Sequence, residues 1–175
     1  GDGAAPSAAS RIGELPNPHL AALGHDVLYH FGLDSSMPLA AMFGDTKFVC
    51  MGGSASRMRS VAERLVDVLG VRLPAGTALA PIGKTERFSL YKVGPVVAVN
   101  HGMGMPSMNI LLHELTKLLH YAGARDFTYM RVGTSGGLGV PPGTVVVSTA
   151  ALNGVLRAEY ELAVLGRAVR RPTTL

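Results

Sequence analysis

Thr46-Lys47-Phe48-Val49-Cys50-Met51-Gly52-Gly53-Ser54-Ala55-Ser56-Arg57-Met58 passes from an apolar run, through two glycines, into a segment with helical periodicity. Thr46 to Met51 reads as a buried strand bounded by Gly44-Asp45 and Gly52-Gly53. From Ser56 to Leu69, the residues Met58, Val61, Leu65, Val68 and Leu69 share one helical face, with Arg59, Glu63 and Asp67 off it. Strand, glycine loop and helix in that order define an α/β unit, and ligands of such folds gather beyond the carboxyl ends of strands.

The flanking sequence extends the pattern. Upstream, Leu20, Leu23, Val27, Leu28 and Phe31 predict a helix over His19 to Phe31 that Gly32 ends. Downstream, Val71 to Thr85 reads as a loop with a short strand, and Phe88 to Val93 and Val96 to Asn100 as a hairpin about Gly94-Pro95. Pro106 to Tyr121 is the strongest helix, with proline in its first turn and Ile110, Leu111, Leu115, Leu118 and Leu119 as its buried stripe. Glu114 and Lys117 read as a surface ion pair on it. Phe127 to Val132 predicts a strand ending in Gly133-Thr134-Ser135-Gly136-Gly137, Thr144 to Ser148 another strand, and Leu156 to Leu165 a helix. The whole implies an α/β sandwich.

Arg57 falls in the first turn of the helix after Gly53, where the helix dipole already disfavours a cation. An anion reverses that penalty: backbone N–H groups, a helix start and a guanidinium make a phosphate site. An ordinary turn with a solvated arginine is the alternative. Arg131, a charge within an apolar strand near its carboxyl end, calls for a partner or a ligand; Thr134 and Ser135 add hydroxyls on the following glycine turn. Phosphate or nucleoside contact and a structural salt bridge both fit Arg131.

Other patterns carry less. Gly133 to Gly137 matches the serine-hydrolase elbow, but Gly139, Pro141, Pro142 and Gly143 break the helix that must follow, and no histidine follows His120 to complete a triad. Gly102-Met103-Gly104-Met105-Pro106-Ser107 lacks the third glycine of a dinucleotide loop, and a tight turn accounts for its glycines. His30 reads as the close of its helix, an imidazole at the negative dipole end. Six histidines and one cysteine show no metal-ligand spacing.

The 175 residues suit one domain. Apolar residues make up 47% and charged residues 16%, against about 25% charged in typical soluble domains. A surface awaiting a second copy or a further stretch of chain follows from that balance. The net charge of +4 rests on 12 Arg and 4 Lys and favours an anionic ligand. No basic stripe with interleaved aromatics points to nucleic acid, and Arg157, Arg167, Arg170 and Arg171 read as a solvated cluster. Lone Cys50 suits a reducing compartment, with cytoplasm the default. Residues 1–16 read as a flexible leader, not a signal peptide, and no run approaches membrane-spanning length.

Several of these segments, in order, resemble successive blocks of the uridine phosphorylases of animals, within the nucleoside phosphorylase family. They are Val49 to Met58, Tyr91-Lys92-Val93-Gly94-Pro95, His101 to Ser107 with Leu112-His113-Glu114-Leu115, and Arg131 to Gly137. The resemblance runs from about Asn17 to the end and implies a three-layer α/β sandwich with a mixed central sheet, residues 17–175 forming the N-terminal part of a single domain. It implies that Gly53, Arg57, Arg131 and Thr134 hold inorganic phosphate, with Arg57 and Arg131 catalytic. Arg87 would reach the phosphate of the neighbouring subunit of a homodimer. Ser135 and Gly136 would touch the nucleoside, and His30 would cross the interface toward the ribose 5′-hydroxyl. The implied reaction is reversible phosphorolysis of uridine, with phosphate as a substrate and neither metal nor organic cofactor.

Asn100 and Asn109 stand where that family usually has small residues, and Ala55 replaces a frequent proline. Family members run on well past the point matching Leu175, and the base-reading Gln and Arg and the ribose-binding Glu-Met-Glu segment are expected there. The alternatives are a catalytically incomplete phosphorylase fold kept for binding or assembly, and a phosphorylase of another nucleoside.

Overall fold

A computed structural model describes residues 17–174; the leader expected over residues 1–16 lies outside them. The chain divides into two compact units, one ending at Thr134 and the other beginning at Ser135.

In the first unit, Asn17 Oδ1 accepts the His19 N–H at 3.0 Å and caps a single 3-10 turn, Pro18–Ala22. Two short strands, β1 (Val27–Leu28) and β2 (Leu33–Asp34), pair antiparallel, and α1 (Leu39–Phe43) follows. Then come β3 (Phe48–Gly52), α2 (Ala55–Leu69), the hairpin of β4 (Leu90–Val93) and β5 (Val96–Asn100), α3 (Gly104–Tyr121) and β6 (Thr128–Arg131). The loop after α2 contributes one bridge, Ile82 to Leu90.

The sheet order is β4-β5-β3-β6. β3 runs parallel to both β5 and β6 while β4 is antiparallel to β5, so the sheet is mixed. Side chains alternate across it. Val49, Met51, Val97 and Val99 pack with Leu111, Leu115, Leu118 and Leu119 of α3. Cys50, Tyr91 and Ala98 face the other way, with Met58 and Ala62 of α2. Helix, sheet and helix form three layers, as expected.

The helix expected over His19 to Phe31 does not form. Its backbone groups are claimed elsewhere: α3 presents Glu114 to the His30 N–H, and the Phe31 and Gly32 N–H groups turn back to the Leu28 carbonyl. Gly32 sits at φ +63°, which ends any helical continuation. Leu28 and Phe31 are fully buried while Leu23 and Val27 are exposed, so the apolar residues do not form one continuous helical face.

In the second unit, β7 (Glu159–Val164) and β8 (Arg167–Pro172) form an antiparallel hairpin where a helix over Leu156 to Leu165 was expected. The connecting residues Leu165 and Gly166 have φ of +48° and +76°, the primed-turn geometry that matches strand twist. Arg170 lies directly across from Glu161 and bonds it at 2.8 Å, and Arg157 and Arg170 approach Glu159 at 3.7 and 3.8 Å. The arginine cluster is thus partly paired across the hairpin. Thr144 to Ser148 forms no strand: Val145, Val146 and Val147 are exposed and have no ladder partner among the described residues.

Among the described residues no helix is long and apolar enough to cross a membrane, and no group of three or more His, Cys, Asp or Glu is placed to hold a metal ion.

Candidate functional site

Because β3, β5 and β6 are parallel neighbours, the loops leaving their carboxyl ends emerge at one edge of the sheet. Backbone bonds extend the ladder past the paired residues on both sides: the His101 N–H donates to the Gly52 carbonyl at 2.8 Å, and the Val132 N–H to the Met51 carbonyl at 2.7 Å. Gly52 is wedged there. A Cβ at position 52 would stand 2.4 Å from Met58 Sδ and 3.3 Å from the Val132 carbonyl oxygen.

Gly53 opens the turn into α2. Ser54 is the N-cap, its Oγ accepting the Arg57 N–H at 3.4 Å. The first four N–H groups of a helix have no intrahelical acceptor, and this cap satisfies one of them. Arg57 is exposed in the first turn, as expected. Arg131 is the last residue of β6 and is also exposed, on an outer strand. Its guanidinium lies against the next turn, 3.1 Å from where a Gly133 Cβ would stand. Arg131 is therefore not the buried charge expected within an apolar strand. Neither Arg57 nor Arg131 forms an ion pair among the described residues. Thr134 is exposed three residues past Arg131.

One residue at this edge escaped the sequence reading. His101 follows β5 directly, is only 6% exposed, and has neither ring nitrogen hydrogen-bonded among the described residues. Leaving a buried polar group unpaired costs about 1–3 kcal/mol. Its Cε1 is 4.0 Å from the Cβ position of Gly53. Burial, and then the Arg131 charge, push the imidazole below its usual range, against the peptide groups of Gly102 and His101, which favour the charged form. The available signal was position, since His101 ends a strand whose parallel neighbour ends in Gly52-Gly53. The glycines after it are conformational: Gly102 and Gly104 have φ of +68° and +78°, and a Gly102 Cβ would meet Ser107 Oγ at 2.8 Å.

Two more of the expected residues are held along α3. Arg87 Nη2 donates to Ser107 Oγ at 3.1 Å, and its guanidinium lies 5.5 Å above the Phe88 ring. His30 is held by Glu114, through its backbone N–H at 2.9 and 3.1 Å and through Nδ1 at 2.6 Å. Ser107 and Glu114 are seven residues apart, two turns on one face, or roughly 10.5 Å along the axis. Glu114 is thus not paired with Lys117. Lys117 instead meets Asp26 at 2.5 Å, and Asp26 also accepts the Tyr121 hydroxyl at 2.6 Å.

Ser135 and Gly136 belong to the second unit. Within it they line an open cavity of about 330 Å³ with Pro141, Thr144 and Val146.

Residues 47–171 match the phosphorylase superfamily, and the chain belongs to it. Among its relatives the chain is similar to uridine phosphorylase 1 of Mus musculus, 47% identical over 93% of this chain and 52% of the relative. It is also similar to inactive uridine phosphorylase B of Schistosoma mansoni, 45% identical over 91% of this chain and 53% of the relative. A solved structure from a structural and catalytic analysis of two uridine phosphorylases of the oomycete Phytophthora capsici matches with a TM-score of 0.83. It is 51% identical and covers 92% of this chain and 55% of that one. The chain spans about half the length of the curated relatives it matches.

Proposed function

We propose that the chain supplies the phosphate side of a uridine phosphorylase active site. The observation that carries this is the convergence of the Gly53 loop, Arg57 and Arg131 at adjacent parallel strand ends, with no carboxylate paired to either arginine among the described residues. Gly53, Arg57, Arg131 and Thr134 hold inorganic phosphate. Arg87 reaches the phosphate of a second subunit in a homodimer, His30 crosses to the ribose 5′-hydroxyl, and Ser135 and Gly136 touch the nucleoside. Both units belong to a single phosphorylase domain, working in the cytoplasm without a cofactor.

In this reaction a phosphate oxygen bonds to the anomeric carbon of uridine as the glycosidic bond breaks. The bonding pair leaves with uracil, which takes up a proton, and ribose 1-phosphate remains. Positive charge grows on the ribose in the transition state. The phosphate stabilises that charge while the arginines fix its position, so orientation and preorganised charge supply the catalysis.

The test is uracil release from uridine by the full-length protein. Release that requires inorganic phosphate supports the reading, and its absence at saturating phosphate overturns it. Competition by thymidine and inosine distinguishes uridine from other nucleosides as the substrate.

A further inference from the structure

We propose that His101 is a proton-linked positioning residue behind the phosphate loop, an imidazole that takes up a proton when an anion is seated on Arg57 and Arg131. The inference rests on the phosphate reading above.

The His101 N–H is tied to the Gly52 carbonyl, directly before the loop. The ring is almost wholly buried and turns Cε1, the carbon between its two nitrogens, toward Gly53. Both nitrogens lack a hydrogen bond among the described residues, so the ring keeps donor and acceptor capacity beside the loop.

The charges decide what that capacity is for. At the ends of the surrounding elements stand Arg131 on β6, Arg57 in the first turn of α2 and Arg87 on Ser107 at the start of α3. All are cations, and no carboxylate lies within ion-pair distance of His101 among the described residues. Burial and the Arg131 charge favour the neutral ring and outweigh the neighbouring Gly102 and His101 peptide groups, which favour the charged one. A dianion held among these cations reverses the local field and favours imidazolium. Protonation then places a further positive charge behind Gly53, which strengthens the hold on the anion. Anion affinity is therefore highest at low pH and falls as pH rises through the anion-bound pKa of His101.

Sulfate is the clean probe, because it stays dianionic while phosphate itself titrates. Calorimetry of sulfate binding to the full-length protein, in two buffers of different protonation heat, is expected to show proton uptake on the acid side of neutrality that fades as pH rises, because the free ring titrates below the usual histidine range. The assigned His101 ring resonances should titrate about one unit higher with sulfate or phosphate bound, equivalent to roughly tenfold tighter binding at the low-pH limit. His101→Gln should bind sulfate without that uptake. Uptake that persists in H101Q, or ring resonances unmoved by an anion that still needs Arg57 and Arg131, overturns this inference alone. If neither anion binds, the phosphate reading falls and this one with it. Should H101Q fail to fold, the wild-type ring titration decides.

Discussion

Glu114 binds His30 at two points, accepting the backbone N–H on both carboxylate oxygens and sharing a 2.6 Å hydrogen bond with Nδ1. With Nδ1 engaged, Nε2 is the ring nitrogen left to meet a ligand. Glu114→Ala leaves the part-buried amide without its acceptor and the ring without its orientation. Thermal or urea unfolding should show a loss of about 1–3 kcal/mol. In the proposed reaction, KM for uridine should rise roughly tenfold while KM for phosphate stays within about twofold. Equal changes in both would separate His30 from the nucleoside.

Arg57 and Arg131 offer the anion forked donors, which lysine does not reproduce. Arg57→Ala and Arg131→Ala should each lower kcat/KM for phosphate by roughly 10–100-fold, the range for a lost charged hydrogen bond. The lysine variants should recover only part of it. Folding should be nearly unaffected, since both side chains are exposed. Initial rates at varied phosphate, with circular dichroism as the folding control, give the answer.

The Asp26 cluster sets a pH dependence of stability. Burial alone would raise the Asp26 carboxyl, but hydrogen bonds from Lys117 and Tyr121 and the charges of Lys117 and His25 outweigh it and hold it below its usual range. A depressed carboxyl stabilises the fold above its unfolded pKa, and that contribution is lost as pH falls below about 4. Tyr121 behaves oppositely: burial, then its bond to Asp26 and the Asp26 charge, raise its hydroxyl to about 12. Its contribution is complete below the unfolded value near 10 and is lost as pH rises toward 12. Tyr121→Phe should therefore be less stable than wild type at pH 8, with the gap closing from about pH 10 upward. Urea midpoints across that range measure it; a constant gap would contradict the assignment.

Leu165 is 99% exposed at φ +48°, a conformation that costs a branched side chain about 1 kcal/mol and suits asparagine. Leu165→Asn creates the Asn-Gly pair preferred in such turns. Slower amide exchange across β7 and β8 is the expected result, and faster exchange would contradict the turn assignment.

What the sequence made legible followed its periodicity. Met58, Val61 and Leu65 of α2, and Leu111, Leu115 and Leu118 of α3, recur at helical spacing and do pack toward the sheet, while Val49, Cys50 and Met51 alternate across it; Val68 and Leu69, expected on the same α2 face, are exposed at the helix end, and Ala62 takes the buried place instead. The segment from His19 to Phe31 misled because its residues answer to α3, more than eighty positions away, and no local pattern encodes that partner. Leu156 to Leu165 misled for a local reason: Leu165-Gly166 reverses the chain through positive φ, although leucine is not a turn residue. The placement of the Gly53 loop, Arg57 and Arg131 at one end of the sheet was legible because helix starts and strand ends follow from sequence order. The isolation of His101 was not, since it is a property of packing.

α3 fastens three stretches of chain that are remote from one another: Ser107 secures Arg87, Glu114 secures His30, and Lys117 with Tyr121 secures Asp26. One rigid rod thus works as a common ruler. A single substitution that slides or tilts it would displace all three attachments together, and defects at Arg87 and His30 would arise as one inherited error.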